Sequence, residues 1–147
     1  MIHSLKNKKV ILFDGMCNLC NNSVLKVIRF DTKNNFLFCA LQSKVGKKIV
    51  QNLNIDLVKM DSILLYQTPS TFNYKATAVL KIMRTFGGWW YLTQVCWIAP
   101  PFLRNLIYDF IAKNRYKWFG QRESCMRPTP ELEKRFLSSF SSIDSTL

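Results

Sequence analysis

Val10, Ile11, Leu12 and Phe13 form an unbroken apolar run closed by Asp14-Gly15, a pattern that reads as a short buried strand over Lys9 to Asp14. The period then changes. From Cys17 to about Asp31 the apolar residues Val24, Val27 and Ile28 recur at three and four, with Lys26 and Arg29 on another face, as an amphipathic helix requires. Asn34-Asn35 breaks that helix, and Phe36 to Leu41 reads as a second strand. Ser43 is placed to cap a helix running to about Leu53 with Val45, Ile49 and Val50 as its apolar face. Ser62 to Tyr66 is a third strand, Thr68-Pro69-Ser70 a turn, and Thr71 to Tyr74 a short fourth strand returning antiparallel. Ala76 to Phe86 carries the helical stripe Val79, Ile82, Met83 and Phe86, stopped by Gly87-Gly88.

The order βαβαββα implies a parallel crossover sheet covered by helices, with the last hairpin adding an antiparallel edge. The remainder reads as helical: an aromatic-rich segment from about Trp89 to Ile98, then, after Pro100-Pro101, an amphipathic helix with Phe102, Leu103, Leu106, Ile107, Phe110 and Ile111 on one side. Residues 1–137 are thus expected to form one α/β domain, its helical C-terminal extension covering about 89–137. The Ser-rich residues 138–147 are expected to be a disordered tail.

A length of 147 residues suits one domain, and 48% hydrophobic against 20% charged residues is enough apolar material for a core, which excludes a disordered chain. Lys and Arg number 21 against 9 Asp and Glu, and the net charge of +12 favours anionic surfaces without informing on the fold. Five cysteines do not suit the disulfide framework of a small secreted protein. The run Val10 to Phe13 is too short for a signal peptide. The most apolar stretch, Trp89 to Leu103, is interrupted by Thr93, Gln94 and Pro100-Pro101 and falls short of the roughly 20 apolar residues of a spanning helix. A cytoplasmic, reducing setting is therefore expected, in which cysteines are reactive or metal-binding.

The informative residues are Asp14-Gly15-Met16-Cys17-Asn18-Leu19-Cys20, where the first strand hands over to the first helix. At a helix N-terminus, unpaired N–H groups and the positive end of the helix dipole favour thiolate over thiol at Cys17. Cys20, three residues on, lies on the same face and within disulfide reach, so one cysteine attacks and the other resolves. Asp14 has two available roles. It relays a proton or tunes the thiol acidity, or it merely accepts hydrogen bonds from turn N–H groups. A zinc site completed by Cys125 and Cys39 is the structural alternative, but a second Cys-x-x-Cys is lacking and the sole histidine, His3, sits in a tail; strand-to-helix placement favours redox chemistry.

Phe-Asp-Gly-x-Cys-x-x-Cys, with Asp14, Cys17 and Cys20, resembles the signature of the DCC family of predicted thiol-disulfide oxidoreductases. Ala40-Leu41-Gln42-Ser43, the run Tyr108 to Gly120 and the segment Cys125 to Pro128 match it as well, and the resemblance spans about residues 9 to 137. It implies a thioredoxin-like fold and thiol-disulfide exchange. One departure bears on substrates: thioredoxin-like oxidoreductases place a cis-proline before the third core strand, whereas Lys59-Met60-Asp61-Ser62 stands there and Pro69 comes after the strand.

The expected couple is Cys17 as nucleophile and Cys20 as resolving thiol, with Asp14 beside them. It needs no cofactor or metal, only a thiol or disulfide substrate, protein or small molecule, and a reductant. Cys125, in a basic setting between Arg122 and Arg127, reads either as a third redox cysteine or as a structural one. Cys39 and Cys96 read as core, as do most of the aromatics between Trp89 and Trp97. Those aromatics and the basic helix behind them also allow peripheral membrane contact. Lys113 to Arg122 interleaves basic and aromatic residues but lacks a nucleic-acid motif, so nucleic acid is not an expected partner. The alternative function is a non-catalytic basic module, metal-stabilised or docking on a membrane or protein.

Overall fold

The computed structural model describes residues 8–56, 63–67, 71–124 and 127–137. Its centre is β1 (Lys9–Phe13), which pairs in parallel with β2 (Phe36–Ala40) and antiparallel with β3 (Leu64–Gln67). β3 pairs antiparallel with β4 (Thr71–Tyr74), giving the order β2-β1-β3-β4. The sheet is therefore mixed. Only the β1-to-β2 crossover is parallel, whereas strand-helix alternation alone suggested a parallel β3 as well.

Alternation along β1 makes two cores. Val10 and Leu12 point to one face, with Leu37, Leu64, and Val45, Ile49 and Val50 of α2 (Lys44–Asn52). Ile11 and Phe13 point to the other, with Phe38, Leu65, Val24 of α1 (Asn18–Phe30) and Ile82 of α3 (Lys75–Phe86). A central strand buried on both faces must read as the continuous apolar run seen at Val10 to Phe13. This arrangement is a thioredoxin-like α/β fold. Ser43 caps α2 by accepting the Gly46 N–H at 3.0 Å.

At the β2 edge, the Phe38 N–H donates to the Arg135 carbonyl and the Leu137 N–H to the Phe38 carbonyl, both at 2.8 Å. The chain after α5 (Pro130–Glu133) thereby covers an edge that would otherwise stand open. Arg135 also pairs with the buried Asp31 at the end of α1.

The C-terminal extension departs most from expectation. The aromatic segment is a 3-10 helix, Gly88–Ile98, with none of its residues buried. Trp90 packs on Phe30 and Phe86 at ring separations of 4.9 and 5.4 Å, but Trp89, Tyr91 and Trp97 are exposed, and so is Cys96. In α4 (Pro101–Phe119) the apolar side, Phe102, Leu106, Ile107 and Phe110, faces outward, while Arg115 on the opposite side is buried. Cys39 is in the core. The expectations for Thr68-Pro69-Ser70, Lys59 to Ser62, Cys125, His3 and residues 138–147 fall outside the described residues.

Gly46 sits where α2 approaches the end of β2, and a Cβ there would lie 2.2 Å from the Ala40 carbonyl oxygen. Gly46→Ala is expected to lower stability by about 2 kcal/mol, because backbone has to move to accept the methyl. Urea unfolding checks this as a lower midpoint at unchanged slope.

Candidate active site

The turn after β1 is built from side chains that satisfy its own backbone. The Asp14 carboxylate accepts the Met16 N–H at 3.0 Å, the Gly15 N–H donates to Gln42 Oε1 at 3.1 Å, and the buried Asn21 amide donates to the Gly15 carbonyl at 2.9 Å. Cys17 is then the N-cap of α1, its Sγ accepting the Cys20 N–H at 3.4 Å. Both cysteines are free thiols, one helical turn apart.

Asp14 does far more than bond its own turn. Gln42 donates to it at 2.6 Å, the Arg115 guanidinium at 3.1 Å, and the Tyr116 hydroxyl bonds the same carboxylate oxygen as Arg115. Arg115 also reaches Cys20, its Nη1 lying 3.8 Å from Sγ. Asp14 and Arg115 form a buried ion pair, the side chains only 7% and 3% exposed. The carboxylate therefore takes four donors, from Met16, Gln42, Arg115 and Tyr116.

The two sulfurs differ in access. Cys17 is 0% exposed. The chain leaving α4 lies over it: Gly120, at φ 80°, ends the helix, Gln121 pairs with Cys17, and the Arg122 N–H donates to the Met16 carbonyl at 2.8 Å. Asn18 ties this strap down, bonding the Phe119 carbonyl and Arg122 Nε, each at 2.9 Å. Cys20 is half-buried, on the wall of a cavity of about 380 Å³ between α1 and α3. Burial pushes the Cys20 thiol up to about 12, helped by its hydrogen bond and charge interaction with Cys17, while Arg115 pulls the other way. Burial and the bond to Asp14 likewise raise the Tyr116 hydroxyl to about 12. Cys39, pushed up to about 11 by burial, bonds Ser43 and belongs to the core on the other face of the sheet.

The three residues expected from the sequence, Asp14, Cys17 and Cys20, therefore meet in one place. Gln42, Arg115 and Tyr116 were missed as site residues, although the runs containing them carried the family resemblance. Among the described residues no three His, Cys, Asp or Glu side chains gather as a metal would need, and no helix is long and apolar enough to cross a membrane.

A dithiol at the strand-to-helix turn of a thioredoxin-like sheet, one sulfur covered and the other half-buried, defines the class, and comparison with known proteins defines the family. The model of the DCC1-like thiol-disulfide oxidoreductases matches residues 11–121, and the chain belongs to that family. It is 39% identical over 129 residues to the uncharacterized protein YuxK of Bacillus subtilis (strain 168), covering 88% of this chain and 93% of that one. It is 36% identical over 119 residues to the DCC family protein At1g52590, chloroplastic, of Arabidopsis thaliana, covering 80% and 69%. No solved structure matches the chain.

The raised pKa of Cys20 has a measurable consequence. Its neutral form is favoured in the folded protein, so the stability this contributes is present below about pH 9 and fades as pH rises toward about 12. In the reduced protein, alkylation of Cys20 followed by mass spectrometry is expected to keep accelerating through pH 9 toward about 12. A plateau near pH 9 contradicts the burial argument.

Proposed function

We propose that the protein is a thiol-disulfide oxidoreductase whose redox couple is Cys17 and Cys20, acting in a reducing compartment such as the cytoplasm. The observation that carries this reading is the Cys17 sulfur at the N-terminus of α1, bonded by the Cys20 N–H, with the second sulfur one turn on beside a cavity. Helix dipole and N–H groups stabilise negative charge there. Cys17 thiolate attacks one sulfur of a substrate disulfide, forming a mixed disulfide and expelling the first substrate thiolate. Cys20 then gives up its proton and attacks the Cys17 sulfur, closing the internal disulfide and releasing the second substrate thiolate. Two electrons pass to the substrate, and its two thiolates take up protons. A thiol reductant returns the couple to its starting state.

Charge orders these steps. While Cys17 is anionic its field and hydrogen bond hold the Cys20 proton in place. Once Cys17 is locked in the mixed disulfide that charge is gone, and the Arg115 guanidinium 3.8 Å from Cys20 Sγ favours the second thiolate. Asp14 fixes Arg115 at that distance. Its role here is to tune the thiol's acidity.

Burial favours a second order of events, in which the substrate sulfur is joined at the accessible Cys20 and the covered Cys17 resolves it. Trapping separates the two. With Cys17 attacking, Cys20→Ser accumulates a mixed disulfide with substrate and Cys17→Ser does not; the reverse pattern transfers the attack to Cys20. Absence of any reversible Cys17–Cys20 disulfide in a glutathione redox series overturns both.

The outward apolar arc of α4 supports a partner for the protein as a whole, an anionic lipid surface. Phe102 is 74% and Leu106 65% exposed, Lys113 and Lys117 stand on the same exposed side about two and three turns beyond Leu106, and the chain carries a net +12. Between Gly87 and Phe119 the single acidic residue is Asp109, already paired with Lys75 at 2.9 Å. A second copy of this chain would instead bring lysine against lysine. Vesicles containing phosphatidylglycerol are expected to bind the protein and neutral phosphatidylcholine vesicles not. The Lys113→Gln, Lys117→Gln double variant should weaken that binding about thirty-fold, near 1 kcal/mol per lysine. Equal binding to neutral vesicles, or a lipid-free dimer by ultracentrifugation, excludes the lipid reading.

A further inference from the structure

We infer that the cavity beside Cys20 seats the body of the substrate, and that the preferred substrates are small amphiphilic disulfides: an apolar chain with its disulfide at one end and an anion at the other. This rests on the exchange reading above and names the substrate class of that site. The wall is largely apolar, with Leu19, Val27, Phe30, Met83, Phe86 and Trp90 contributing from α1, α3 and the 3-10 helix, and a volume of about 380 Å³ takes a small molecule rather than a folded chain. Its polar groups are mostly committed elsewhere. Asp14 is held by its four donors, Ser23 donates to the Leu19 carbonyl at 2.8 Å, and the Tyr108 hydroxyl accepts the Ile63 N–H at 3.0 Å. A polar tripeptide such as glutathione finds little there to replace its lost hydration.

Two wall residues have chemistry to offer, and they stand apart. Cys20 is near the start of α1 and the exposed Lys26 six residues on, a rise of about 9 Å along the helix. A substrate whose disulfide lies at Cys20, the point of attack in the second order of events above, and whose carboxylate lies at Lys26 must be apolar between them, since the wall it crosses is Leu19, Val27 and Met83. Each methylene laid against that wall is worth roughly four-fold in binding. An exposed lysine such as Lys26 adds at most about five-fold for the anion.

Lipoate, lipoamide and glutathione disulfide serve as probes. Reduction of either ring disulfide takes two electrons from Cys17 and Cys20, leaving the ring-opened dithiol and the internal protein disulfide. Each rate is divided by that of the same compound with free dithiothreitol, which removes intrinsic ring strain. On this scale both ring compounds should exceed glutathione disulfide by at least ten-fold, with lipoate ahead of lipoamide. Lys26→Gln should lower the lipoate-to-lipoamide ratio up to about five-fold. Met83→Gln should lower the lipoamide-to-glutathione ratio about ten-fold by placing an unsatisfied amide on the wall. Octanoate, which has no sulfur, reads the cavity without redox chemistry and is expected to raise the melting temperature of the wild-type protein but not of Met83→Gln. Octanoate stabilisation without any disulfide reduction sinks the exchange reading and leaves the cavity assignment standing. Disulfide reduction with glutathione disulfide preferred, and no shift with octanoate, overturns the substrate class.

Discussion

The buried pair of Asp14 and Arg115 joins two parts of the chain a hundred residues apart, and most of what is distinctive here follows from it. Two charges taken out of water gain little net stability over a well-packed apolar pair, yet leaving one of them alone costs about 3–5 kcal/mol. Such a pair therefore acts as a locating device. With Gln42 and Tyr116 sharing the carboxylate, α4 has one permitted rotation about its axis, and the strand-to-helix turn bearing the cysteines is clamped between β2 and α4.

The rotation explains the unusual surface. If α4 were placed by hydrophobic burial alone, Phe102, Leu106 and Phe110 would point inward and Arg115 to solvent. The opposite is seen, because the helix side carrying Arg115 and Tyr108 is needed at the site and against Ile63. Apolar exposure on this helix is thus the cost of polar function beneath it. The +12 charge and the lysines further along the same side give that exposure a direction.

Much of the core was legible from local pattern. Val10 to Phe13 announced a strand buried on both faces, Ser43 announced the start of α2, and the stripes at Val24 and at Val45 to Val50 match buried residues. Of the candidate site, the sequence pointed to three residues that the structure brings together, Cys17 and Cys20 one turn apart and Asp14 at the strand end. What pattern could not supply was sense. A periodicity of 3.6 establishes that α4 has an apolar side but not where that side points. Likewise, strand-helix alternation did not reveal that β3 runs against β1. Arg115 and Tyr116 looked like part of a basic-aromatic run because their partner, Asp14, is remote in sequence. Burial of Cys17 depends on Gly120 to Arg122, again distant residues whose local composition carries no sign of what they cover.

The pairing of Arg135 and Leu137 with Phe38 has its own consequence during synthesis. Every strand of the sheet leaves the ribosome before the residues that seal its β2 side. Until they emerge, a nascent chain holds an open row of backbone donors and acceptors beside the apolar Phe36 and Phe38, the form of surface that neighbouring chains can add to. The residues that close this edge follow every described strand in the chain, so the edge gains its partner only when the last part of the domain is in place.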